Sequence, residues 1–343
     1  MAMPSTYSHT QGLGVSQGVR PPLEEFQIGW ICASPIEGAA AQTMLDEKFG
    51  PLEEQADGDT SIYTLGRIGK HCVAIACTSG RYGTTSATTV ANHMMRTFSQ
   101  SLRVGLMVGV GGGIPSTKDD IRLGDIVISY PSDSCGGVLQ HDMGRMEQSG
   151  RFERTGSLNS PPRPLLAAAD QMNMATLQDE PLYPLYIEQT IQKNERTRRS
   201  FSPPDSSTDR LFQIHNKHPE DAESCDNCLK EWQVERAERK DPVPQPYYGI
   251  IASGNTVVKD GRTREKLRRE TGALCCEMEA AGLMQDFPCI VIRGICDYAD
   301  GHKNDHWQGY AALAAASYTK ELLSYIPRYQ VSQAKLVVEI CCK

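Results

Sequence analysis

Residues 26–45 read FQIGWICASPIEGAAAQTML, and this stretch sets the architecture. The apolar run 26–33 has the length of a buried strand. Pro35 then stands where helices accept a proline, at the first helical position, and the residues from Glu37 onward continue with helical spacing. A strand, a short loop and a helix in that order open an α/β unit. Working outward, TSIYTLGRIG (60–69) and KHCVAIAC (70–77) are β-rich runs broken at Gly69 and predict a hairpin. Residues 78–98 read as a glycine-containing turn feeding a helix. RVGLMVGVGGGIP (103–115), LGDIVISY (123–130), YYGIIASG (247–254) and FPCIVIRGICDYAD (287–300) predict further strands. CCEMEAAGLMQ (275–285) is expected to turn from strand to helix, and 307–326 to form the closing helix. Apolar strands alternating with helices predict one α/β domain over 25–330, a central mixed β-sheet flanked by helices.

The remaining segments break this rhythm. Residues 1–24 are polar and rich in Gly, Ser and Pro, with no apolar signal core, and are expected to be a disordered tail of a cytoplasmic protein. Residues 331–343 are expected to be a C-terminal tail. The stretch 160–245, with its proline pairs and the charge-dense run 194–210, predicts an irregular insertion rather than a second domain, because it carries too few apolar runs for a core of its own. The net charge of −7, from 35 Lys and Arg against 42 Asp and Glu, argues against a phosphate-dominated nucleic-acid binder. No apolar run reaches the ~20 residues of a membrane span.

The chain has 12 cysteines, and Cys32, Cys72, Cys77, Cys289 and Cys296 lie inside apolar runs as expected of buried thiols. Cys225 and Cys228 differ, since they follow His215 and His218 in a polar H-x2-H-x6-C-x2-C segment. That spacing suits a structural zinc, with a surface loop that happens to hold these residues as the competing reading.

Ligands of open α/β sheets sit beyond the carboxyl ends of the strands. Those ends carry Glu37, then Ser79 and Gly80, the glycines 111–113 including Gly112, the pair Glu277 and Glu279, and Asp297. One such carboxylate alone is an ordinary helix-start residue; several on glycine-lined strand ends point to chemistry. GVGGG fits neither phosphate-loop spacing, because Pro115 and a polar loop follow it. Glycines there allow a flat ligand to approach the backbone.

The blocks IGWICASPIE, TSGRYGTTSA, VGLMVGVGGGIP, LGDIVIS, YYGIIASGNTVVKDG, CCEMEAAGLM and VIRGICDYADGHKNDHWQGYAA resemble, in this order, the nucleoside phosphorylase superfamily. They are most similar to its fungal branch and, beyond that, to the methylthioadenosine and adenosylhomocysteine nucleosidases. The resemblance implies that Glu279 accepts hydrogen bonds from the ribose hydroxyls, that Met278 packs on the sugar, and that Asp297 protonates the purine N7 with Arg293 in support. It further implies that Glu37 activates the attacking water and that Glu277, Asn255 and Val257 belong to the substrate site. No cofactor is implied for the reaction, the partner is a small purine nucleoside, and a homodimer or larger homo-oligomer is expected.

These roles agree with the chemistry. Breaking the C1′–N9 bond builds positive charge on the ribose and negative charge on the base, so an acid at N7, a carboxylate at the sugar and a base for water suffice. Asp297 is expected to act protonated, Glu37 and Glu279 ionised. Phosphorylases of the superfamily carry an arginine in the first strand-loop segment, where this sequence has Glu37. A carboxylate repels phosphate, which favours hydrolysis, although Arg81, Thr84, Thr85 and Ser86 keep phosphorolysis open. A non-catalytic nucleoside-sensing module is the alternative from another class.

Overall fold

The computed structural model describes residues 19–341, apart from 79, 220–224, 226–227, 240 and 303–304. The chain opens with β1 (Phe26–Cys32), α1 (Pro35–Thr43), the short β2 (Glu47–Lys48), β3 (Thr64–Ile68), β4 (His71–Cys77), α2 (Thr84–Thr97), β5 (Val104–Gly113) and β6 (Ile126–Ser129). Three short strands follow, β7 (Val138–Gln140), β8 (Gly144–Met146) and β9 (Phe152–Arg154), and then α3 (Arg163–Ala175), α4 (Tyr183–Gln192) and α5 (Glu195–Phe201). Further along come β10 (Pro246–Gly249), β11 (Ile251–Ser253), α6 (Gly261–Thr271), β12 (Cys275–Glu277) and β13 (Cys289–Asp297). The chain closes with α7 (Gln308–Ser324), α8 (Arg328–Gln333) and α9 (Val337–Cys341).

The main sheet runs β10-β6-β13-β5-β1-β4-β3-β2, with β7, β11 and β12 attached beside it. Its centre is parallel, β4, β1, β5 and β13 all pointing one way. β6 runs against β13, and β3 against β4, which makes the sheet mixed. The central strands are buried on both faces, as their unbroken apolar sequences require. The hairpin expected at Gly69 joins β3 to β4, with that glycine at φ +54.

One face is covered by α1, α7 and the helices α3 to α5, the other by α2 and the turn after β12. α7 is apolar nearly all round because it lies between the sheet and α1, α3, α4 and α5. Because the parallel strands share a direction, their carboxyl ends emerge together along one edge. Among the described residues, no helix is long and apolar enough to cross a membrane.

The structure departs from the sequence expectations at four places. Of the segment read as a disordered N-terminal tail, residues 1–18 lie outside the described residues, but Leu23 packs against the core. The C-terminal stretch from 331 is not a loose tail, because Val331 and Val337 are buried and the Val337 N–H bonds the Leu102 carbonyl. The insertion is not irregular throughout; its first part forms α3, α4 and α5, which bury Leu165, Met172, Tyr183, Ile187 and Phe201 in the core. Among the described residues, no α-helix stands between β12 and β13. A single 3-10 turn over Ala280–Gly282 stands there, pressed against the start of α2, where a Cβ on Gly282 would strike the Thr84 backbone.

Candidate active site

Glu37 sits at the third position of α1 and is buried. Ser34 caps the helix and Glu37 completes the box: its Oε2 accepts from the Ala33 and Ser34 N–H groups at 2.6 and 2.9 Å. Its other oxygen accepts from the Val110 N–H of β5 at 2.8 Å, so the carboxylate is pinned across two strand ends. The pinning requires Gly109, because a Cβ there would overlap both the Glu37 carboxylate and the Arg293 guanidinium.

Arg293 lies wholly buried in β13, behind this point. Its guanidinium pairs with Glu277 and lies 3.6 Å from Glu279. Burial works to lower its proton affinity, but Glu277, Glu279 and Glu37 hold it above the ordinary arginine range. Glu277 directs its oxygens inward, to Arg293 and to the N–H groups of Glu279 and Ala280, and so fixes the turn after β12.

That turn presents Glu279. Its Oε1 accepts from the Gly83 N–H at 3.0 Å, at the start of α2. Burial raises the Glu279 carboxyl to about 7, with Arg293 opposing the rise and Glu277 adding to it. The expectation of a fully ionised Glu279 is thereby corrected, since near neutrality this carboxyl shares its time between both forms. Asp297 ends β13 at a bulge, where the pairing with β5 shifts between Ile295 and Asp297. Its Oδ1 accepts from the Ala299 N–H at 2.7 Å, and the Cys296 thiol reaches its Oδ2 at 3.5 Å. Gly112 makes room for it, as a Cβ there would lie 2.8 Å from Asp297 Oδ1.

Glu37, Glu279 and Asp297 line one cleft, whose empty space is about 800 Å3 including its open mouth. Glu277, Met278, Gly112 and Val257 line it as well, whereas Arg293 supports it from behind without lining it. Two residues expected in the site stand elsewhere. Gly80 is exposed and outside the cleft wall, and Asn255 instead accepts from the Thr84 N–H and hydroxyl at 3.0 Å each, bracing the start of α2. Ser79 lies outside the described residues. The sequence reading missed Tyr82, Thr256, Val258, Cys276 and Gln308, which also line the cleft. All five fall inside the sequence blocks quoted above, but none is a charged group at a strand end that would single it out.

Of the cysteine and histidine set, Cys225, Cys228 and His218 come together, but His215 does not join them. It is exposed, and His302 from the loop after β13 takes its place.

The sequence model of the phosphorylase superfamily matches residues 27–326. A nucleotide-binding leucine-rich repeat (NLR)-like protein of the fungus Hyaloscypha variabilis is 46% identical over 96% of this chain and 32% of its own length. A 5'-methylthioadenosine/S-adenosylhomocysteine nucleosidase of Mycobacterium bovis is 33% identical over 24% of this chain and 35% of its own. The chain thus spans about a third of the length of these relatives. Among solved structures, the 5'-methylthioadenosine/S-adenosyl homocysteine nucleosidase of Helicobacter pylori, with a bound ligand bearing an aminopyrrolopyrimidine ring, superposes with a TM-score of 0.55 at 16% identity, covering 88% of this chain and 98% of that one. With a family match along nearly the whole described chain and the mixed sheet that this fold neighbour shares, the protein belongs to the phosphorylase superfamily.

Proposed function

We propose that this chain is a purine nucleosidase, which hydrolyses the N-glycosidic bond of an adenosine-like nucleoside to free base and ribose. Asp297 donates the proton to the departing base at N7, Glu279 accepts from the ribose hydroxyls, Met278 packs on the sugar, and Glu37 orients and deprotonates the attacking water. Arg293, from behind the cleft, and Glu277, in its wall, set Glu279 in place.

The observation that carries this reading is the position of Glu37 in the cleft wall, with its carboxylate held by two strand ends. Phosphate would meet that charge together with Glu277, Glu279 and Asp297, and Arg293 behind them is already engaged by carboxylates. The start of α2, the natural place for an anion, already has two of its donors engaged. The Gly83 N–H serves Glu279 and the Thr84 N–H serves Asn255. Water meets none of these obstacles. The adenosine-like base is supported by the nucleosidases that the chain resembles, whose names give methylthioadenosine and adenosylhomocysteine as substrates.

Incubation with adenosine, inosine, guanosine and uridine, with and without phosphate, tests the reading. The expected products are free purine and ribose at equal rates in both conditions. Ribose 1-phosphate, formed only with phosphate, would establish a phosphorylase instead. Tight binding without base release would make the chain a nucleoside sensor, the second reading, which the likeness to an NLR-like protein favours.

A further inference from the structure

Outside the cleft, one cluster of side chains has the composition and spacing of a metal centre. The ligand atoms of His218, Cys225, Cys228 and His302 all lie within 4.8 Å of one another. The His302 Nδ1 stands 3.7 Å from the sulfur of Cys225 and 3.7 Å from that of Cys228. Tetrahedral zinc with bonds of ~2.3 Å to sulfur and ~2.0 Å to nitrogen separates such atoms by roughly 3.5 Å. The thiols are buried and the imidazoles half-buried, so the cluster is neither a surface coincidence nor sealed from an entering ion.

The surroundings prepare both imidazoles for this role. His302 Nε2 faces the Asn216 carbonyl at 3.0 Å, and a carbonyl only accepts, so the proton sits on Nε2 and Nδ1 presents its lone pair to the sulfurs. In His218 the pattern is reversed: Nδ1 donates to the Pro219 carbonyl at 2.9 Å, which makes Nε2 the ligating nitrogen. A backbone carbonyl that fixes the tautomer is the usual outer partner of a metal-bound histidine. Phe212 stacks on the His302 ring at 3.9 Å and 15°, holding its plane. The Cys228 N–H bonds the Cys225 carbonyl at 3.0 Å, which holds the two cysteines together.

We propose that His218, Cys225, Cys228 and His302 form a tetrahedral zinc site that ties the insertion to the loop carrying Asp297. Three ligands belong to the insertion, and the fourth follows β13 by a few residues. Between the ligand and Asp297 the loop is already braced: the His302 N–H bonds Asp300, and Arg264 bonds both Asp300 and the Tyr298 carbonyl. A small cavity lined by Phe212, Cys225, Asp297, Tyr298 and His302 separates the centre from the cleft. Zinc has no redox role here and all positions are filled by protein, so the site is structural.

The full chain, purified without added metal or chelator, should carry about one zinc per molecule by elemental analysis. Cobalt exchanged into the site should give a thiolate-to-cobalt charge-transfer band and the intense visible bands of tetrahedral coordination. Cys228→Ser and His302→Gln should each weaken binding by more than the ~10–100-fold that loss of an outer partner costs, read by competition with a chromogenic chelator. His215→Ala should retain metal and spectrum unchanged. Protein that is metal-free, takes up no cobalt and shows a Cys225–Cys228 disulfide after non-reducing alkylation would overturn the proposal. So would loss of metal in His215→Ala with retention in His302→Gln. If Cys228→Ser does not fold, the cobalt spectrum of the unaltered chain still decides.

Discussion

Glu37 accepts from three backbone N–H groups, those of Ala33, Ser34 and Val110, so the same carboxylate that faces the cleft also caps α1 and joins β1's end to β5. Glutamine in its place sets an amide N–H2 against at least one of those donors. Glu37→Gln is therefore expected to lower the unfolding free energy by about 1–3 kcal/mol, the cost of a buried donor without an acceptor, and turnover by roughly 10²–10⁴-fold. Asp297 is the cleaner probe. Its Oδ1 accepts from the Ala299 N–H, which the carbonyl of an asparagine still serves. In Asp297→Asn the urea midpoint should hold while base release falls by roughly 10²–10⁴-fold. A variant that unfolds and cleaves like the unaltered protein would remove Asp297 from the reaction. Reading both variants by denaturant unfolding as well as by adenine release separates the structural duty of Glu37 from its chemical one.

At the scale of elements, what the sequence showed depended on how self-sufficient each signal was. The central strands were legible because a strand buried on both faces is written as an unbroken apolar run, and FPCIVIRGIC is one. Their ends gave Glu37, Glu279 and Asp297 directly, since ligands of such sheets gather there. Residues whose place depends on distant chain were not legible. Tyr82 and Thr256 reach the cleft from loops of no regular pattern, and His302 joins a cysteine 77 residues away in sequence. The helix α3 was a different kind of miss. Leu165, Ala168, Ala169 and Met172 recur at helical spacing, but the flanking prolines and the charged run beyond them gave the whole stretch the look of a loop. Because Leu165 is wholly buried in the same cluster as Trp30 and Tyr318, α3 is part of the core and not an ornament on it. Leu165→Ala is expected to cost about 2–5 kcal/mol, measured by urea unfolding of the full chain. A loss within ~0.5 kcal/mol, the range of surface substitutions, would return this helix to the status of a peripheral insertion.

The whole fold gathers negative charge at one edge of the sheet, where Glu37, Glu277, Glu279 and Asp297 share a cleft with Arg293 as the cation behind it. Such an edge serves a ligand at the expense of stability. Glu279 shows the conflict, because burial raises its carboxyl from 4.5 to about 7, so folding holds its proton more tightly than the unfolded chain does. The folded state then binds more protons than the unfolded state between these values, and stability falls as pH rises. The contribution is fully present below about pH 4.5 and gone above about pH 7. Its size follows from the shift, about 3 kcal/mol at ~1.4 kcal/mol per unit. Glu279→Gln removes the titration while keeping an acceptor for the Gly83 N–H. Relative to the unaltered chain, this variant should gain about 3 kcal/mol between pH 4.5 and pH 8, or roughly 4 °C in Tm for a domain of this size. Its base-releasing activity should fall at every pH. Urea unfolding of both proteins across that range measures the difference, and parallel pH profiles would mean that Glu279 carries its charge in the folded protein at no cost.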